Sequence, residues 1–568
     1  MRIDRRRVLG LIGAGAAAPA TSAHARQAAA AVEFRHGVAS GDPLNDRVML
    51  WTRVSPDRAD ASVPVDWRVR PLDSDTVVAS GVVETGPERD HTVKVDVGGL
   101  RPGADYRFDF AVGEVRSPEG RTRTLPAGGT EDVVLAVASC QLHPGGLFNA
   151  YQAMAGLERL DAVVHLGDYI YEYGAEADDY GMATGAALNR VPEPAHEIVS
   201  LDDYRRRHAQ YKTDADLQAA HARAPFICVW DDHEVTNDSW TEGAQNHQPR
   251  DEGDYGVRKA AALRAYYEWM PIREPQGGLS MAAINRTFHF GDLATLVMVE
   301  TRLTARDEPI GYATHLPMTT DEAGNPIPDV AGFETIRNDP ARELMGADQI
   351  AWLKGELEAS RLAGRPWQII GNQVVMARVV GPNVADTVPP AMIEGLLARL
   401  PDAVRAQVQQ SIQLFRFGLP FNLDSWDGYP AERERLYAAF AEAGVSPIVL
   451  AGDSHAFWVN ELKDAAGERR GVEFGTSASS SPSPGDAIPA LPLGRALAQT
   501  NEEVVFCDQS SKGFVLLTLT RDQATAELKA VSTILAKPFE VRDAARFTVA
   551  RGPAGAGELT QGQSAPRA

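Results

Sequence analysis

Seven residues of types that bind metal ions or move protons stand out in this chain: Cys140, Asp168, Tyr171, Asp232, His233, Asp453 and His455. Each follows a short apolar run that stops abruptly, in VVLAVASCQ, AVVHLGDYIY, PFICVWDDHEVTND and SPIVLAGDSHAFW. Thiolate, phenolate, imidazole and carboxylate are all donors to cations, and the carboxylates favour hard ones. Near-continuous Val, Ile and Leu runs read as strands of a parallel sheet buried on both faces, and ligands collect outside the carboxyl ends of such strands. Residues spread over more than 300 positions are therefore expected to meet at one site.

The clusters differ in what they suggest. Gly167 allows a tight turn that presents Asp168 as a ligand able to bridge two ions, and Tyr171 lies close enough in sequence to reach the same ion, where a phenolate would suit ferric iron. Tyr169 and Tyr173 read as packing aromatics. Asp231, Asp232, His233 and Glu234 cannot all be buried without partners, because unpaired buried charge is strongly unfavourable. They form either a solvated acidic turn or a metal site, and the apolar run PFICVW leading into them favours the second. Asp232 would hold a second ion, with His233 left for substrate or leaving group. Asp453 and His455 project from one strand tip. Cys140 alone is open between metal ligand, nucleophile and packing thiol, with packing preferred. Cys228 reads as core, and three cysteines without a C-x-x-C argue against a disulfide framework or zinc ribbon.

The elements that must position these residues follow from the pattern around them. Between about residues 33 and 126, alternating runs such as Val65, Trp67, Val69 and Tyr106, Phe108, Phe110 suggest a small antiparallel, fibronectin-like sandwich. GVASGDP reads as a turn-rich segment able to face the next domain. Residues 130–535 then alternate continuous apolar strands with helices, an α/β layer structure. Helices are predicted at Leu201 to Ala222, Tyr255 to Met270, Ala341 to Leu362, Met392 to Phe415 and Ala431 to Ala443, the first opened by a Ser200 and Asp203 cap. Ala175 to His196 and Pro389 to Leu419 read as lids or surface excursions. The Gly- and Ala-rich tail over residues 551–568 is expected to be disordered.

Composition narrows the class. The 568 residues are 44% hydrophobic and carry a formal charge of −21, which argues against an electrostatic nucleic-acid binder. Residues 1–25 combine DRRRVLG, a short Gly- and Ala-rich apolar run and Ala23-His24-Ala25, the pattern of a twin-arginine signal peptide. The run is too short for a stable membrane span. The expected partner is the twin-arginine export machinery, and the expected location periplasmic or secreted.

The set SCQ, GDYIYEY, WDDHEVTND, GNQ, DSWDGYPAER and GDSHAFW resembles the alkaline phosphatase D family, a branch of the calcineurin-like metallophosphoesterase superfamily. That resemblance implies a four-layer αββα sandwich with two metal ions at the strand ends. It implies Asp168 as the bridge, Cys140, Tyr171 and His455 around Fe3+, and Asp232 and Asp453 at a second site with Asn372 or Gln373. Carboxylates in place of superfamily His and Asn ligands favour Ca2+ there. VETR departs from the Asp-Thr-Arg expected at its strand end, which leaves Glu300 without a role and Arg302 as a phosphate-orienting residue. The implied activity is two-metal hydrolysis of phosphomonoesters, with His233 protonating the departing oxygen. The alternatives are a phosphodiesterase or phospholipase D and, further off, a secreted binding protein with structural metals.

Overall fold

The computed structural model describes residues 32–562 except Pro401 and Ala490, so the expected signal peptide at residues 1–25 lies outside the described residues. The four runs that end in donor residues are strands Asp132–Ala138, Ala162–His165, Phe226–Cys228 and Ile448–Ala451, buried throughout except for half-buried Asp132. The first three lie parallel and adjacent in a ten-stranded sheet. The fourth belongs to a seven-stranded sheet in which Ala294–Met298, Trp367–Gly371, Ile448–Ala451 and Arg469–Gly475 run parallel.

The two sheets share a core because alternate residues of each strand point to opposite faces. Leu296, Ile369 and Leu450 of the seven-stranded sheet pack in one cluster with Leu135 and Val163 of the ten-stranded sheet. Their neighbours Val297, Ile370 and Val449 turn the other way, onto Leu353, Leu357, Leu436 and Phe440 of helices Ala347–Leu362 and Pro430–Ala443. Helices Asn149–Ala155 and Ala215–Arg223 pack on the ten-stranded sheet. The result is helix, sheet, sheet, helix. At their carboxyl ends the sheets touch: the Ser479 N–H donates to the Ser139 carbonyl at 3.1 Å, which brings both sets of strand tips to one place.

Local chemistry explains where the helices begin and end. Ser200 and Asp203 form the expected capping box. The predicted helix from Leu201 to Ala222 is two, Leu201–Lys212 and Ala215–Arg223, because Asp214 caps the second by accepting from the Asp216 and Leu217 N–H groups. The predicted helix from Met392 to Phe415 is likewise Pro390–Leu397 followed by Asp402–Phe415.

The N-terminal β region encloses its own core of Val48, Leu50, Val65, Val69, Val93, Phe108 and Phe110. Yet it is not a detached unit. Strands Val38–Gly41, Val48–Arg53 and Thr92–Val97 continue the ten-stranded sheet, with Gly41 opposite Phe226. GVASGDP does face the next domain, but it does so as a buried strand, Val38–Gly41, and not as a turn. Gly41 is required by the close approach, since a Cβ there would lie 2.4 Å from the Pro271 carbonyl oxygen. Across the same junction the Trp51 indole donates to the Glu268 carbonyl at 2.9 Å, and Arg273 pairs with Asp96 at 2.7 Å.

The tail expectation is corrected over residues 551–562, while residues 563–568 lie outside the described residues. Strands Val541–Gly552 and Gly555–Gln561 form a hairpin at the edge of the ten-stranded sheet, so ordered structure extends past both 535 and 551. Phe547, Val549 and Ala556 are buried in the shared core. Composition misled here because a short-residue hairpin turn and a disordered tail have the same amino acids; the apolar alternation at Phe547, Val549 and Leu559 carries the strand signal.

Burial also places cationic groups where only their neutral forms are comfortable. Lys212 lies 3.1 Å from His221 and over the rings of Trp51 and Tyr169 at 4.8 and 4.9 Å. Desolvation lowers its pKa from 10.5 to about 7, and lowers those of His36, His165 and His208 from 6.5 to about 3. The unfolded chain binds these protons more readily than the folded one, so folding stability falls as pH drops from 10.5 to 7 through Lys212 and from 6.5 to 3 through the histidines. Thermal unfolding is expected to occur at higher temperature at alkaline than at neutral pH. Lys212→Met should reduce that alkaline rise, the remainder coming from Lys94, whose pKa burial lowers from 10.5 to about 8, and leave the acid limb in place; an unchanged profile would refute the assignment.

Candidate active site

The donor residues sit on sharp turns at the strand tips. Cys140, Asp168, Asp453 and His455 all have left-handed backbones, with φ of 57°, 57°, 58° and 57°. Such conformations are unfavourable for non-glycine residues and concentrate at functional sites. Gly167, at φ 109°, is held so close to the next turn that a Cβ would lie 2.3 Å from the Asp231 nitrogen. Glycine there lets the turns carrying Asp168 and Asp232 lie against each other.

Three overlapping donor groups result. Donor atoms of Cys140, Asp168 and His455 lie within 4.8 Å of one another, as do those of Asp168, Asp232 and His233, and those of Asp231, Asp232 and Asp453. Asp168 belongs to the first two groups and Asp232 to the last two. The Tyr171 hydroxyl donates to Asp168 Oδ2 at 2.9 Å, stands 3.4 Å from His455 Nε2 and accepts from the Ser481 hydroxyl at 2.7 Å. Tyr180, from the segment expected to be a lid, stacks on His455 and lies near Tyr171.

The charges of this cluster ask for a cation. Asp168 Oδ1, Asp231 Oδ2 and Asp232 Oδ1 are buried without a hydrogen-bond partner, an arrangement that native interiors avoid. Burial, reinforced by neighbouring acids, raises Asp168 well above the usual carboxylate range, and burial pushes Asp453 up to about 7. Burial and the nearby Asp168 raise both the Cys140 thiol and the Tyr171 phenol. His455 is pushed the other way, to about 3, so it is neutral; its Nδ1 faces the Pro482 carbonyl at 2.5 Å, which turns Nε2 to the cluster. A thiol, a phenol, a neutral imidazole and underbonded carboxylates form donor groups able to hold metal ions.

The other expected site residues are placed less simply. Arg302 is fully buried, with its donors on Asp231, on Asp424 at 2.7 Å and on Asp453 at 3.0 Å. It stands as counter-charge beneath the acids, with its guanidinium turned to carboxylates. Glu300 acquires a structural role: its carboxylate accepts from the Arg302, Leu303 and Thr304 N–H groups at 2.8, 2.7 and 2.9 Å, which shapes the turn that carries Arg302. Of the two amides left open, Gln373 is engaged at both ends, with Thr301 at 2.5 Å and the Val299 carbonyl at 2.8 Å. Asn372 donates to the Val374 carbonyl and accepts from the Trp426 indole at 3.3 Å, and neither bond joins it to the acidic cluster.

Comparison with known proteins bears on the same residues. The family described as PhoD-like phosphatase matches residues 135–528, and its N-terminal domain matches residues 18–126. The chain belongs to the PhoD-like phosphatase family. It is 34% identical to alkaline phosphatase D of Bacillus subtilis over 513 residues, 87% of this chain and 77% of that protein. It is also similar to the solved structure of PhoD, with a TM-score of 0.74 at 30% identity, over 94% of this chain and 92% of that one. The α/β fold with an N-terminal all-β domain, and the assignment as a phosphatase, are those of this family.

Two acids of this PhoD-like phosphatase have positioning roles that their motifs do not reveal. Glu172, inside GDYIYEY, is fully buried and accepts from His233 Nδ1 at 2.7 Å, from the Asn237 N–H at 2.8 Å and from the Asn246 amide at 2.9 Å. It thereby orients the imidazole; burial opposes a charge on His233, but Glu172, Asp232 and Asp168 together raise it well above 6.5. Glu234 accepts from the Asp168, Tyr169 and Asp231 N–H groups at 3.0, 2.6 and 2.8 Å and locks the two donor turns together. A carboxylate set among apolar and aromatic residues was the available signal for Glu172; Glu234 was noticed only as one acid of a run.

Proposed function

We propose that the chain hydrolyses phosphate monoesters at this cluster, with Fe3+ beside Cys140, Asp168, Tyr171 and His455 and Ca2+ beside Asp168, Asp232 and Asp453. The observation that carries the reading is Asp168, a buried carboxylate with one unpartnered oxygen, common to two adjoining donor groups. Cations held there would neutralise phosphate oxygens and acidify water.

The chain's own groups supply the rest. His233, fixed through Nδ1 by Glu172, stands beside Asp168 and Asp232 and gives a proton to the departing ester oxygen. Arg302 offsets the repulsion among Asp231, Asp424 and Asp453 and keeps them in place. Tyr180 and Tyr173 flank His233, His455 and Tyr171 and restrict water at that side.

Elemental analysis and a visible spectrum of protein taken from its own export route test the metal assignment, together with turnover of a simple monoester. Iron and calcium should co-purify, and Tyr171→Phe should lose a phenolate-to-iron absorption band. An active, colourless and iron-free protein would overturn the ferric assignment.

A further inference from the structure

The run TSASSSPS, from Thr476 to Ser483, follows strand Arg469–Gly475. Its composition is that of a solvated linker, yet every residue in it except Pro482 is buried. This loop touches each of three donors that come from distant segments. The Ser480 and Ser481 N–H groups both donate to the Cys140 carbonyl at 3.3 Å. The Pro482 carbonyl faces His455 Nδ1 at 2.5 Å, and the Ser481 hydroxyl stands 2.7 Å from the Tyr171 hydroxyl. Ser481 has one proton to give and a second acceptor in reach, the Cys140 carbonyl at 2.9 Å. That carbonyl already accepts from two N–H groups, which occupy its two lone pairs. The Ser481 oxygen accepts from the Leu142 N–H at 3.1 Å and is fully buried, so no water competes for its proton. The hydroxyl is thereby directed at Tyr171. His455 Nε2, 3.4 Å from the same phenolic oxygen, carries no proton in a neutral ring whose Nδ1 donates to Pro482. Among the described residues, Ser481 is therefore the hydrogen-bond donor to that oxygen.

We propose that Ser481 is a positioning residue for Tyr171, its hydroxyl holding the phenolic oxygen toward the cation shared with Asp168 and setting how strongly that oxygen donates to it. The inference rests on the ferric reading of the cluster. A phenolic oxygen bound to a cation carries negative charge, and hydrogen bonds to charged oxygens are stronger than those to neutral ones. The Ser481 bond therefore tightens when the site is loaded, while the bond from Tyr171 to Asp168 gives way to the cation. Without the hydroxyl, the phenolate electrons lie higher in energy and the oxygen is less firmly aimed. Partners of this outer kind commonly contribute about 10- to 100-fold to metal affinity.

The test compares wild type, Ser481→Ala and Ser480→Ala, each carrying its metals, by visible spectrum and by competition for iron against a chelator. Ser480 is the control: its hydroxyl donates to the Leu142 carbonyl at 2.8 Å in the same buried loop, so its loss reports loosening of the loop alone. Ser481→Ala should move the phenolate-to-iron band to longer wavelength and weaken iron binding about 10- to 100-fold. Ser480→Ala should leave both close to wild type. In wild-type protein transferred to D2O, the phenolate C–O stretch in the resonance Raman spectrum should shift, a readout that needs no variant to fold. An unmoved band in folded Ser481→Ala, equal shifts in the two variants, or a stretch indifferent to D2O would each overturn the role of Ser481 and leave the ferric assignment standing. An active wild type without iron or band would overturn the ferric assignment and the role of Ser481 with it.

Discussion

Asp168→Asn is expected to abolish phosphoester turnover while the protein still unfolds in one cooperative transition. Asparagine keeps the shape of the side chain and an oxygen able to accept from the Tyr171 hydroxyl, now at 2.9 Å from Asp168 Oδ2. It removes the negative charge shared by the group with Cys140 and His455 and the group with Asp232 and His233. In the protein without cations that charge is unfavourable, since burial raises the Asp168 pKa well above the usual carboxylate range. A neutral replacement therefore costs the fold little, and removing an uncompensated buried charge can even stabilise it. Bound metals should fall together with activity, because both groups lose their shared ligand. Elemental analysis alongside kinetics decides the matter: wild-type turnover by the mutant, at wild-type metal content, would remove Asp168 from the mechanism.

His233→Gln is expected to retain metals and lose about 10²- to 10⁴-fold in kcat on an alkyl phosphate, the span associated with a lost acid–base group. The loss should be much smaller on 4-nitrophenyl phosphate, whose leaving group departs without needing a proton. The geometry behind this is the 2.7 Å bond from His233 Nδ1 to Glu172, which fixes the ring beside Asp168 and Asp232. Were His233 a metal ligand instead, both substrates would suffer alike and metal content would drop. Equal losses on the two esters would therefore reassign the residue.

The amino-acid sequence by itself determined the donor strands and the polar residues at their tips. A strand buried on both faces is apolar at nearly every position, so an abrupt stop at Gly167-Asp168 or Gly452-Asp453 is legible without coordinates. Capping at Ser200 was legible for the same reason, being decided within one turn of helix. Tertiary structure alone decided what depends on partners far apart in the chain. Arg302 was legible as a cation but not as the counter-charge of Asp231, Asp424 and Asp453, which come from three other segments. Glu172 was hidden because a buried carboxylate declares itself only through its partners, His233, Asn237 and Asn246. The Gly41 strand and the Val541–Gln561 hairpin joined the catalytic sheet because edge pairing is made by backbone groups, which every residue carries and no side-chain pattern specifies.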